Sequence, residues 1–215
     1  MRIAAVLLLS LPAAQVSAQS LVTKLVVTQE GRETGREEFT LNPGRGRGAP
    51  GSTLVAVARY PATNPLMKLA ATLERTPEFA LAKFQLDVEG PNGTTVILAA
   101  GSGARLIVRT VAKGTEAGRE LPGGPDVVLL DEAVYSLYTA VVELATPAGK
   151  SLTGVFPRTS RRVSFVARRD GGGGGRAARV TLSGDINGTL STDAKGLLQR
   201  LEFPDSGIVV TRAQD

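Results

Sequence analysis

Between Pro125 and Leu144 the chain carries its most apolar run outside the N-terminus, and only there do apolar residues return at convincing helical spacing. Val134, Leu137, Tyr138, Val141 and Leu144 follow at intervals of three and four, which places them on one helix face. Tyr135 and Val142 widen that face, leaving Glu132, Ser136, Thr139 and Glu143 as a narrow polar stripe. Asp131 can cap the N-terminus, Glu132 adds negative charge where the helix dipole favours it, and Pro147 forbids continuation. A mostly buried helix at about residues 131–145 is expected, inside a chain that otherwise reads as strands.

Those strands are short, alternate in polarity and are separated by Gly, Pro, Asn and Asp. The expected runs ahead of the helix are 21–29, 36–41, 52–60, 66–75, 79–88, 94–99 and 104–111. Residues 66–75 fit helix or strand by pattern, and their place between strands favours strand. Pro91-Asn92-Gly93 between two such runs is a strong hairpin signal. The glycine- and proline-rich segment from Lys113 to Pro125 reads as a connection to the helix. After the helix, strands are expected at 151–156, 162–169, 178–183, 189–192, 197–203 and 208–212, with Gly171 to Gly175 as a hairpin tip. Consecutive hairpins predict an antiparallel meander. The fold class is mainly β: a strongly curved antiparallel sheet, or unclosed β-barrel, with the single helix covering its concave face.

Met1-Arg2-Ile3, the apolar run from Ala4 to Leu11 and Val16-Ser17-Ala18 have the order of a secretory signal peptide. Residues 1–18 are expected to be removed, leaving one domain over 19–215. The apolar run is too short to span the roughly 30 Å hydrocarbon core of a bilayer, and no transmembrane segment is expected later. The 215-residue chain has no Cys, so its single domain must hold together by its core. A bacterial periplasmic or secreted location follows as the expectation.

The absence of His removes the usual general base and the commonest metal ligand, so histidine triads and histidine metal sites are excluded. Gly44-Arg45-Gly46-Arg47-Gly48 is not followed by a helix pattern and does not make a phosphate loop. Gly101-Ser102-Gly103 reads as a turn, and Lys150-Ser151 points to opposite faces of a strand. Asp185, Asn187 and Asp193 are turn residues without an EF-hand spacing. No catalytic residue, cofactor or metal is expected. The formal charge is +5, with arginines concentrated at Arg158, Arg161, Arg162, Arg168 and Arg169. In an envelope protein such a basic surface would meet lipid headgroups, acidic glycans or a protein, rather than nucleic acid.

Three sets of residues carry a resemblance. Gly31-Arg32, Gly35, Glu37 and Phe39 sit on the first hairpin, and Leu130-Asp131 with Tyr135 opens the helix. The third runs from Asp193 through Gly196-Leu197-Leu198, Leu201, Pro204 and Gly207 to Arg212. Together they resemble uncharacterised bacterial secreted domains, whose predicted fold is similar to the open β-barrels of the LolA and LolB lipoprotein carriers. The resemblance spans most of the mature chain and implies an incomplete barrel with a helix lid over an apolar cavity. It defines no catalytic residue.

The expected function is non-catalytic binding or carriage of a lipid-like ligand. The ligand would lie between sheet and helix against Leu129, Val134, Leu137, Tyr138 and Val141, with arginines near the mouth. The alternative is an envelope interaction module that docks a protein through its arginine-rich face.

Overall fold

The computed structural model describes residues 21–44, 51–171 and 177–214. The expected signal peptide, the stretch 45–50 of the glycine-arginine loop and residues 172–176 of the glycine tip lie outside the described residues.

The first eight strands are β1 (Thr23–Gln29), β2 (Arg32–Pro43), β3 (Ser52–Tyr60), β4 (Met67–Arg75), β5 (Leu81–Gly90), β6 (Gly93–Ser102), β7 (Arg105–Ala112) and β8 (Thr115–Pro122). A short β9 (Val127–Leu129) then leads to a 3₁₀ turn at Tyr135–Tyr138, continued by α1 (Thr139–Leu144). The chain returns through β10 (Lys150–Phe156), β11 (Arg161–Asp170), β12 (Arg179–Gly184), β13 (Gly188–Thr192), β14 (Leu198–Phe203) and β15 (Ile208–Arg212). All strands belong to one curved, unclosed sheet of order β8-β7-β6-β5-β4-β3-β2-β1-β15-β14-β13-β12-β11-β10-β9. The meander therefore starts in the middle of the sheet, where β1 pairs with β15, and its two arms end at β8 and β9.

The alternation in the strands decides which side faces in. Leu54, Ala56 and Ala58 of β3 and Leu69, Ala71 and Leu73 of β4 are buried, while their strand neighbours are more exposed. The inner surface of this sheet and the segment Val128–Ala145 share one continuous apolar core. The chain after β8 thus fills the concave side as a plug. The 3₁₀ turn packs on β2 and β3, whose inward positions Gly35, Ala56 and Ala58 carry little or no side chain, and α1 packs on β11.

Three expectations change. The helix is a single 3₁₀ turn and six α-helical residues, not a continuous helix over 131–145. Its first residues are drawn off into other bonds: Leu130 donates its N–H to the Val155 carbonyl at 2.9 Å, and the Asp131 carboxylate folds onto the N–H of Ala133 at 2.8 Å. The connection at 113–125 contains β8, which apolar periodicity cannot reveal because nearly all its side chains are exposed or half-exposed at the sheet edge. Finally, the meander is not antiparallel throughout, since β9 runs parallel to β10. Such a reversal needs a crossover, and the plug supplies it.

Gly35 shows how tightly plug and sheet are fitted. A methyl group there would lie within 2.2 Å of the Tyr60 ring and 2.9 Å of the Arg59 carbonyl oxygen. Tyr60 in turn donates its hydroxyl to the Ala133 carbonyl of the plug at 3.0 Å. Gly35→Ala is expected to lower the unfolding free energy by about 2 kcal/mol in denaturant titration. A variant as stable as the parent would show that the Tyr60 ring has room to move.

No helix among the described residues is long and apolar enough to cross a membrane.

Candidate functional site

Because the plug is short, its backbone polar groups must find partners on the surrounding sheet. The first is Glu37 of β2, whose side chain is wholly buried. One carboxylate oxygen accepts the Tyr135 N–H at 2.7 Å and the other accepts the Ser136 N–H at 3.0 Å. Burial pushes the Glu37 carboxyl up to about 7, aided by the negative charge of Asp131 and opposed by the bonds from Tyr135 and Ser136. At the other end Arg75 of β4, also buried, pairs with Glu143 of α1 and donates to the Ala140 carbonyl. Desolvation lowers the Arg75 guanidinium and raises the Glu143 carboxyl, each countered by the other's charge. Arg158 clamps Asp131 with two bonds of 2.9 Å, and Arg169 donates to the Val142 carbonyl.

These anchors fix the 3₁₀ turn so that two tyrosines stand at the mouth of the sheet. Tyr135 and Tyr138 pack on Phe203 of β14, with ring centroids 6.2 Å and 5.1 Å away. A cleft of about 370 Å³ opens over them, continued by Phe156, Ile186 and Ile208. Its rim carries Asp131, Glu132, Arg161, Asp185, Asn187, Asp205 and Ser206. Arg161 pairs with Glu132 at 3.1 Å and lies 4.0 Å from the centre of the Phe156 ring. Each tyrosine is only 4% exposed, and neither hydroxyl has a hydrogen-bond partner among the described residues. Neither hydroxyl counts among the fully enclosed atoms lacking a partner, so both reach accessible space, and the space in front of them is the cleft. Burial raises both phenols above their usual range, so they stay protonated.

A larger hollow of about 470 Å³ lies against β4 to β7, with Thr72, Glu74, Lys83, Gln85 and Arg109 among its lining. Nothing in it corresponds to the two unpartnered hydroxyls, so the mouth of the plug is the better candidate. Among the described residues no three acidic side chains come together to hold a metal ion.

The residues singled out from the sequence divide into two groups. Leu129, Val134, Leu137 and Val141 are packed in the core, whereas Tyr138 reaches the cleft. The arginines do not share one face, because β11 alternates. Arg158, Arg161 and Arg169 reach the plug, through Asp131, Glu132 and the Val142 carbonyl. Arg162 and Arg168 belong to the outward set of β11 together with Val166, which is 38% exposed. From the sequence Glu37 stands out only as part of the first-hairpin pattern, and Ile186, Phe203 and Asp205 do not stand out as site residues. The signal for Glu37 was present: Phe39 faces inward, and a strand repeats every two residues. Ile186 and Asp205 lie in turns far apart in the sequence, and only the sheet order brings them beside the plug.

No family model and no curated protein matches the chain. Among solved structures, the fold is similar to that of a DUF1089 family protein from Pseudomonas aeruginosa, at 14% identity and a TM-score of 0.45. The likeness covers 93% of this chain and 97% of that one. The expected likeness to the LolA and LolB carriers is not shown by it.

Proposed function

We propose that this is a non-catalytic bacterial envelope protein that binds a small amphipathic ligand in the cleft between the plug and the β14–β15 turn. The observation that carries the reading is the pair of tyrosines whose rings are largely buried and whose hydroxyls, open to the cleft, find no partner among the described residues. Each hydroxyl is open to the cleft and can exchange hydrogen bonds with water or with a polar group of a ligand there. The aromatic floor of Tyr135, Tyr138 and Phe203 offers apolar contact, and the volume lies at the small end of ligand pockets. The ligand thus sits at the mouth, with Tyr138 the one residue shared with the placement expected from the sequence. Export is proposed from the N-terminal residues alone. The docking alternative would have Arg162 and Arg168 as its outward-facing arginines, flanking an open hollow lined by Ser164 and Val166 that lacks an aromatic floor like that of the cleft.

The test is uptake of N-phenyl-1-naphthylamine, a neutral apolar fluorophore, by the purified protein and by Ser206→Trp. Ser206 is exposed on the rim, so an indole there should fill the cleft without entering the core. Fluorescence enhancement with the parent and a loss of about tenfold in affinity with the variant are expected, at unchanged unfolding temperature. Equal binding by both proteins, or none by the parent, would place the site elsewhere.

A further inference from the structure

The charge around the cleft runs against the charge of the chain. The protein is basic overall, yet four carboxylates and one guanidinium stand on this rim. Asp131 is neutralised by Arg158 and Glu132 by Arg161. Asp185 and Asp205 have no ion-pair partner among the described residues. Asp185 accepts the Ser164 N–H at 2.8 Å, and Asp205 accepts from the Asn187 amide at 3.1 Å. Both are exposed, and both line the cleft together with Asn187. The local field at the mouth is therefore negative.

From this, and resting on the reading of the cleft as a ligand site, we infer that the ligand is a cationic amphiphile: an apolar body with an amine or quaternary ammonium head. Three features of the cleft suit that chemistry together. Aromatic faces attract a desolvated cation through their quadrupoles, and an aromatic cage is the recurrent seat of quaternary ammonium groups. The cleft already holds one cation in this manner, since the Arg161 guanidinium lies over Phe156. The hydroxyls of Tyr135 and Tyr138 are protonated and unpartnered, and each can accept a hydrogen bond from an ammonium N–H. Asp185 and Asp205 supply the long-range attraction, which is strongest at low salt. An anionic head, such as a carboxylate or phosphate, would meet two unpaired carboxylates and no free cation, because Arg161 is already held by Glu132. The basic surface anticipated from the sequence is thus not the surface at this mouth.

The experiment compares three amphiphiles of one chain length below their micellar concentrations: decyltrimethylammonium, decyl maltoside and decyl sulfate. Each is titrated calorimetrically into the protein and into Asp185→Asn/Asp205→Asn, a double variant that keeps an acceptor oxygen at both positions. The ammonium compound is expected to bind the parent about tenfold more tightly than the sulfate, with the maltoside between them. In the double variant that preference should fall to about twofold or less, while maltoside affinity stays unchanged. Added salt should weaken the ammonium compound alone. Equal affinity for all three, or a preference that survives the double substitution, overturns the inference while leaving the cleft as a site for neutral ligands. If none of the three binds and the naphthylamine does not bind either, the cleft reading falls with it. Ser206→Trp guards against surfactant adhering elsewhere: binding that it does not reduce counts against both.

Discussion

Glu37→Gln is expected to remove a pH dependence of stability that the parent protein carries across the mildly acidic range. The carboxyl is held at about 7 in the folded chain against an ordinary value of 4.5, so the folded state binds a proton more tightly than the unfolded state. Its favourable contribution is complete below about pH 4.5 and is lost as pH rises through about 7. The difference corresponds to about 3 kcal/mol. Asp131, Tyr60 and Tyr135 interact with the same carboxyl, and all remain in the Gln variant. Denaturant titrations of both proteins from pH 4 to 8 should therefore show the parent losing stability relative to the variant as pH rises. Parallel curves would mean that the two backbone N–H groups hold the carboxylate ionised in spite of burial. Glu37→Ala differs in kind, because it orphans the N–H groups of Tyr135 and Ser136. At acid pH it should cost about 3 kcal/mol.

Asp131→Ala should be more damaging still. The Asp131 carboxylate is almost fully buried, receives both bonds from Arg158 and also binds the Ala133 N–H. Removing it leaves a three-quarters-buried guanidinium without its counter-charge, at a cost of about 4 kcal/mol. Adding Arg158→Met removes the stranded charge. The double variant should recover all but about 1 kcal/mol, the remainder being the unpaired Ala133 N–H. A double-mutant cycle by urea unfolding measures this directly. If the two single losses add, the pair is not coupled and Asp131 acts only on its own turn. Should the first variant fail to fold, Asp131→Asn keeps the bond to Ala133 while weakening the ion pair, and the cycle can be run on it.

The strands were legible because their signal is local. Along β3, Leu54, Ala56 and Ala58 face in while the residues between them are more exposed, and Asn92-Gly93 turns where a hairpin should. The exception, β8, is polar on both faces because an edge strand buries neither, so its periodicity carries no information. The plug was half legible. Its burial could be read from the apolar sector of Val134, Leu137, Tyr138 and Val141, and those side chains are buried. Its conformation could not, because the residues that hold it are remote. The position of Asp131 suggests a helix cap, but Arg158 competes for the same carboxylate and the capping falls to Glu37, about a hundred residues earlier. The cleft was less legible still: Tyr138 was singled out, whereas Ile186, Phe203 and Asp205 come from turns and a strand end that meet it only through the order of the sheet.

By itself, then, the sequence determined which segments extend, which one is buried between them, and which chemistries are closed to a chain without His or Cys. Alternation and turn residues act over a few positions, and composition needs no geometry at all. The tertiary structure decided what holds the plug, which arginines are spent on it and which residues share its mouth. Those outcomes depend on pairing across the sheet, where β1 meets β15 and β2 meets the 3₁₀ turn. Buried charges settle on whichever partner lies within reach in three dimensions, and no spacing along the chain encodes that distance.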